Sequence, residues 1–149
     1  MSTSGIHYFA YGSNMSTARL AARVREIRAL GVGRLHDHEL VFDKPGRDGT
    51  AKANVRPAGG RLVHGVVWEI GSDSLSALDR FEPGYIRHEL EIVVTGLPRL
   101  SAWTYVYAGE ASDAAASIEY VRHLLDGARE HGLPVEVLAG LEAHTTPGT

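Results

Sequence analysis

The sequence predicts an α+β domain, a small and mostly antiparallel β-barrel with flanking helices. Strand-like runs fill the first two-thirds of the chain, and turns rich in glycine and proline separate them. Helical periodicity is confined to one early segment, one short central segment and the C-terminal third. At 149 residues the chain is sized for a single domain over residues 1–149.

The first strand candidate, Ile6-His7-Tyr8-Phe9-Ala10, runs without a spacer into Tyr11-Gly12-Ser13-Asn14. A Gly-Ser-Asn turn between a strand and a helix points backbone N–H groups one way and suits an anion such as a carboxylate or phosphate. The same residues suit a plain turn in which Gly12 takes φ > 0 and Asn14 or Ser16 caps the helix. Leu20, Val24 and Ile27 then fall at helical spacing, with Arg19, Arg23, Arg25 and Arg28 on the other side. That pattern predicts an amphipathic helix over residues 16–30 with a solvated arginine face, ended by Gly31 and Gly33.

Residues 35–43 and 51–57 flank Lys44-Pro45-Gly46-Arg47-Asp48-Gly49, a turn signal for a long hairpin. Residues 62–70, around Val66-Val67-Trp68, form the next strand after Gly59-Gly60. A short helix starts at Ser72 with Leu75 and Leu78 on one face, and Pro83 bars its continuation. Ile86, Leu90, Ile92 and Val94 share one face of the following strand, opposite Arg87, Glu89 and Glu91. Residues 102–108 make the sixth strand, with Trp103, Tyr105 and Tyr107 on one face. Ile118, Val121, Leu124, Leu125 and Ala128 stripe a C-terminal helix, broken at His131-Gly132-Leu133-Pro134. A last short helix carries Val135, Leu138 and Leu141, and residues 145–149 are expected to fray.

Composition removes several classes of function. A formal net charge of −3 gives no steering toward nucleic acid or an anionic membrane. The absence of cysteine excludes disulfides, thiolate nucleophiles and Cys-ligated zinc. No secretory pattern opens the chain and no apolar run is long enough to span a bilayer, so a cytoplasmic monomer or homodimer is expected. The Gly-x-Ser-x-Gly elbow, the Walker loop and the third glycine of a dinucleotide fingerprint are all missing. His36 and His38 fall on one predicted strand face without a clear third ligand, and neither a metal nor a cofactor is expected.

The second candidate stretch is Leu78-Asp79-Arg80-Phe81-Glu82-Pro83-Gly84-Tyr85. A carboxyl among Leu78, Phe81, Pro83 and Tyr85 has its charged form disfavoured, which raises its pKa toward values useful for proton transfer. The alternative is a solvent-facing glutamate in a turn. Asp79, one helical turn earlier, reads as a surface or structural carboxylate.

Four segments together resemble the γ-glutamylcyclotransferase superfamily. Phe9-Ala10-Tyr11-Gly12-Ser13-Asn14-Met15 is similar to its substrate-loop signature, and Gly65-Val66-Val67-Trp68-Glu69-Ile70 to the strand before its catalytic helix. Leu78-Asp79-x-x-Glu82 resembles the segment with the catalytic glutamate, and residues 127–134 the C-terminal helix break. Pro83 departs from the family pattern, which places glycine directly after the glutamate. The Glu82-to-Tyr85 spacing is also shorter than in the mammalian-type glutathione-pathway enzyme, so the substrate is open among several branches.

The resemblance implies cyclisation of a γ-glutamyl group to 5-oxoproline with release of the amine it had acylated. The attacking atom is the substrate's own α-amino nitrogen, so no enzyme nucleophile or metal is needed. On that basis Glu82 is the base and then the acid, and the Gly12, Ser13 and Asn14 amides hold the α-carboxylate or polarise the carbonyl. Tyr11, Tyr85 and Tyr105 complete the expected substrate pocket, although Tyr105 also suits plain barrel packing. The rivals are a non-catalytic carboxylate-binding module, and acyl transfer or hydrolysis on a larger γ-glutamylated substrate.

Overall fold

The computed structural model describes residues 5–145; residues 1–4 and 146–149 lie outside the described residues, and Thr145, where fraying was expected to begin, is the last residue of the final helix. Five strands close a barrel in the order β1-β3-β2-β4-β5. They are β1 (Ile6–Ala10), β2 (Arg28–Pro45), β3 (Ala51–Ile70), β4 (Ile86–Val94) and β5 (Leu100–Val106). All neighbours pair antiparallel except β1 and β5, which meet in parallel at Tyr8 and Trp103. The helices are α1 (Thr17–Ala21), α2 (Ser74–Asp79), α3 (Ile118–Glu130) and α4 (Val135–Thr145). None of them is long and apolar enough to cross a membrane.

Phe9, Val67 and Ile92 are fully buried and converge on Gly33 inside the barrel. A Cβ at residue 33 would stand 2.7 Å from both Val67 and Ile92, so this glycine gives β2 a close approach rather than ending a helix.

The predicted helix over residues 16–30 is the main correction. Only Thr17–Ala21 is helical, and Arg28 already belongs to β2. Leu20 and Val24 are buried as the spacing requires, but Glu26 takes φ 57, a left-handed conformation that a helix cannot continue through. Pairing with β3 then captures residues 28–34, a tertiary gain that outweighs local periodicity.

The predicted strands 51–57 and 62–70 are two legs of one long β3. Between them, residues 58–61 stand opposite the single Asp37 of β2, whose carboxylate accepts from the Gly60 N–H at 3.0 Å. The bulge breaks the alternation that was to place His36 and His38 on one face, and the His38 ring instead bonds the His36 carbonyl at 2.9 Å. α2 starts at Ser74 rather than Ser72, and β5 ends at Val106 rather than residue 108. Val135 of the last helix is exposed rather than part of its apolar face.

α3 is seated directly on the turn after β1. At residue 127 a Cβ would lie 2.6 Å from the Ser16 N, so only glycine permits this approach. Trp68 fixes the same turn from the barrel side, its indole N–H donating to the Asn14 carbonyl at 3.1 Å.

Candidate active site

The turn at Tyr11–Asn14 owes its shape to local hydrogen bonding. Ser13–Met15 form one turn of 3-10 helix, in which the Met15 N–H returns to the Gly12 carbonyl at 3.1 Å. The amides ahead of Met15 have no acceptor within such a first turn. Gly12 has φ −109, so the expected positive φ is not used there. Ser16 caps α1 as predicted, accepting from the Arg19 N–H at 3.3 Å.

The opposing wall comes from the segment after α2. Pro83 and Gly84 occupy the centre of a turn closed by the Tyr85 N–H on the Glu82 carbonyl at 3.3 Å, and Gly84 has φ +87. Proline followed by a left-handed glycine is the signature of a type II turn. The departure at Pro83 therefore reverses the chain just after Glu82, with Glu82 and Tyr85 at the two ends of the turn.

Between the two walls lies a cleft of about 300 Å³, lined by every residue the sequence nominated: Tyr11, Gly12, Ser13, Asn14, Glu82, Tyr85 and Tyr105. The Glu82 side chain is 16% exposed, which excludes the solvent-facing turn residue. Its Oε1 accepts from the Asn14 side-chain amide at 3.1 Å and lies 3.8 Å from the Arg23 guanidinium. Burial pushes the Glu82 carboxyl up to about 7, against the opposing pull of Arg23, Lys44, Arg19 and the Asn14 bond.

The tyrosines differ in how their hydroxyls are engaged. Tyr11 donates to the Tyr105 carbonyl at 2.5 Å, and Tyr85 donates to the Ala53 carbonyl at 2.6 Å. The Tyr105 hydroxyl donates to Asp79 at 2.6 Å, and Asp79 also pairs with Arg87 at 3.1 Å. Asp79 is thus a structural carboxylate that ties α2 to β4 and β5. Burial raises the phenols of Tyr8, Tyr85 and Tyr105, which remain neutral hydroxyls at physiological pH.

Sequence reasoning missed further lining residues, among them Arg19, Arg23, Lys44, Tyr8 and Tyr120. Arg19 and Arg23 were assigned to a solvated face, but both line the cleft, and Arg23 donates to the Asn14 Oδ1 at 3.1 Å. Their spacing of four residues was the available signal. Lys44, read as part of a hairpin turn, is 7% exposed and places its ammonium 5.1 Å from the Tyr85 ring centroid. Tyr8 accepts from the Asn14 amide at 3.0 Å, and Tyr120 accepts from the Ala53 N–H at 3.0 Å. Nothing local in the sequence marks either tyrosine. Among the described residues, no three His, Asp or Glu side chains are grouped to hold a metal ion.

Residues 8–123 match the family model described as gamma-glutamyl cyclotransferase, AIG2-like. The chain belongs to this family of enzymes. Human gamma-glutamylcyclotransferase is 30% identical over 145 residues, covering 91% of this chain and 77% of the human one. The bovine gamma-glutamylcyclotransferase is 31% identical over 139 residues, covering 87% and 73%. A solved gamma-glutamyl cyclotransferase structure superposes with a TM-score of 0.86 at 28% identity, covering 93% of this chain and 87% of the other. A yeast gamma-glutamyl cyclotransferase specific to glutathione shares the fold at 14% identity, with a TM-score of 0.66 over 95% and 96% of the two chains.

Proposed function

We propose that this family member is a γ-glutamyl cyclotransferase in which Glu82 moves the protons, releasing 5-oxoproline and a free amine or amino acid from a small γ-glutamyl substrate. The observation that carries the reading is a buried carboxyl, raised to about 7, in the same cleft as the Gly12–Asn14 turn. A group that titrates near neutral pH both accepts and returns a proton readily.

The chemistry follows from the substrate. Its α-ammonium loses a proton to become nucleophilic, and the nitrogen attacks the γ-carbonyl carbon. A second proton leaves the attacking nitrogen as the tetrahedral intermediate forms. The bond to the leaving nitrogen then breaks, and that nitrogen gains the two protons needed to depart as an ammonium. Glu82 takes a proton from the attacking nitrogen and delivers it to the leaving one, and solvent balances the other. The turn amides stabilise the oxyanion. A cleft of about 300 Å³ suits a small γ-glutamyl compound better than a carrier-bound one.

The test is 5-oxoproline formation from a panel of γ-glutamyl dipeptides and γ-glutamyl-amines. Glu82→Gln is expected to lose about 10²- to 10⁴-fold in kcat. Full turnover by that variant would remove Glu82 from the reaction. Binding without turnover by the wild type would favour a carboxylate-binding module of the same fold.

A further inference from the structure

We propose that Arg19 determines substrate specificity in this cleft, receiving a carboxylate of the substrate on its inner Nε–H. The inference rests on the cyclotransferase reading and assigns it a recognition element. Arg19 lines the cleft, and its Nε is buried with no hydrogen-bond partner among the described residues. A buried donor on a charged group is costly to leave unpaired, and a ligand oxygen that reaches it removes the penalty.

Two neighbouring cations of the cleft already have partners. Arg23 donates to Asn14, lies near Glu82 and stacks over the Phe81 ring at 4.9 Å. Lys44 sits over the Tyr85 ring. Burial and the nearby cation Arg23 both disfavour the charge on Arg19, and together they outweigh the opposing pull of Tyr120, Glu82 and Glu119. An anion bound between Arg19 and Arg23 relieves both effects.

Arginine also has the right shape for the task. Its Nε–H and one terminal N–H form a fork matching the two oxygens of a carboxylate, which the ammonium of lysine cannot reproduce. The backbone of Arg19 is held by the Ser16 cap, immediately after the Ser13–Met15 turn, so the fork begins beside the turn amides. Every γ-glutamyl substrate carries an α-carboxylate, and an amino-acid leaving group supplies a second.

The experiment measures kcat and KM for γ-glutamyl-alanine and γ-glutamyl-ethylamide with wild type, Arg19→Ala, Arg19→Met and Arg19→Lys. Loss of a charge-assisted bond is expected to raise KM about 10- to 100-fold with kcat changed far less. A rise for both substrates assigns the α-carboxylate; a rise for the dipeptide alone assigns the leaving-group carboxylate. Arg19→Lys is expected to restore little, because it lacks the inner donor. An unchanged KM for both substrates, or full rescue by lysine, overturns the inference. Calorimetric binding of γ-glutamyl-alanine to the Glu82→Gln protein, with and without Arg19→Ala, reads the same contact without turnover. Equal affinity there overturns it too, whereas a failure of the catalytic reading leaves this binding difference standing.

Discussion

The Asn14 side-chain amide donates to Glu82 Oε1 at 3.1 Å, joining two residues 68 positions apart in the chain. The same nitrogen donates to the Tyr8 hydroxyl, and the Asn14 side-chain oxygen Oδ1 accepts from Arg23. A donated bond and a nearby guanidinium both favour the ionised carboxylate. Burial opposes them and prevails, so the acid is held near half-ionisation at neutral pH rather than fully charged.

The first prediction concerns pH dependence. A general base must be ionised, so kcat/KM should rise with pH on a limb centred near the Glu82 value of about 7. Arg23 is the largest of the influences that lower this value. Arg23→Gln should therefore shift the limb to higher pH, as measured by initial rates across a buffer series. A limb at the ordinary carboxylate position would show that Glu82 is not the titrating base.

The same shift makes a prediction about stability. The carboxyl moves from 4.5 to about 7 on folding, so the folded state holds its proton more tightly than the unfolded one. The associated stability is complete below pH 4.5 and is lost as pH rises toward 7. A shift of this size corresponds to on the order of 3 kcal/mol. Glu82→Gln, neutral at every pH and still able to accept from Asn14, should melt several degrees above wild type at pH 8. Calorimetry at pH 4 should find the difference gone.

Tyr105→Phe separates positioning from substrate contact. The hydroxyl is committed to Asp79 at 2.6 Å, and its loss leaves that carboxylate with Arg87 alone. A bond of this type contributes about 1.5–3 kcal/mol, and a partly exposed partner places this one at the lower end. Thermal denaturation should register the loss, while KM for γ-glutamyl-alanine should change less than threefold, an order-of-magnitude bound for a lost contact of about 0.6 kcal/mol. A large rise in KM would instead give the hydroxyl a direct part in binding.

How much of this was legible in the sequence depends on how local each signal is. The Tyr11–Asn14 turn and Glu82 were readable because a strand-to-turn junction and an apolar-flanked acid are contiguous features. The barrel was readable from its turns. The Arg19–Arg23 wall was not, because helical spacing continued past Val24 and gave no sign that Glu26 turns left-handed and hands Arg28 to β2. Lys44 was hidden for a related reason. A lysine beside Pro45-Gly46 reads as a loop tip, yet β2 carries it to Pro45 and buries it against Tyr85. Long-range strand pairing decides both cases, and no window of neighbouring residues contains it.

The turn beyond Glu82 yields the last prediction. Gly84 has φ +87, where an L side chain is strained, and a Cβ there would approach Lys44 Cε to 3.0 Å. Gly84→Ala therefore meets two obstacles, the backbone conformation and the buried lysine. Residues held in sparsely populated backbone regions cost about 1–3 kcal/mol each. The turn can relax only by moving the chain between Glu82 and Tyr85, which displaces the acid from Asn14 and Arg23. Gly84→Ala should thus lower both melting temperature and kcat, whereas Gly60→Ala should lower stability alone, since Gly60 has φ +80 in the β3 bulge with nothing within 4 Å of its Cβ. Melting curves and 5-oxoproline assays on the two variants give the comparison. Equal kcat in both would mean that the turn does not position Glu82.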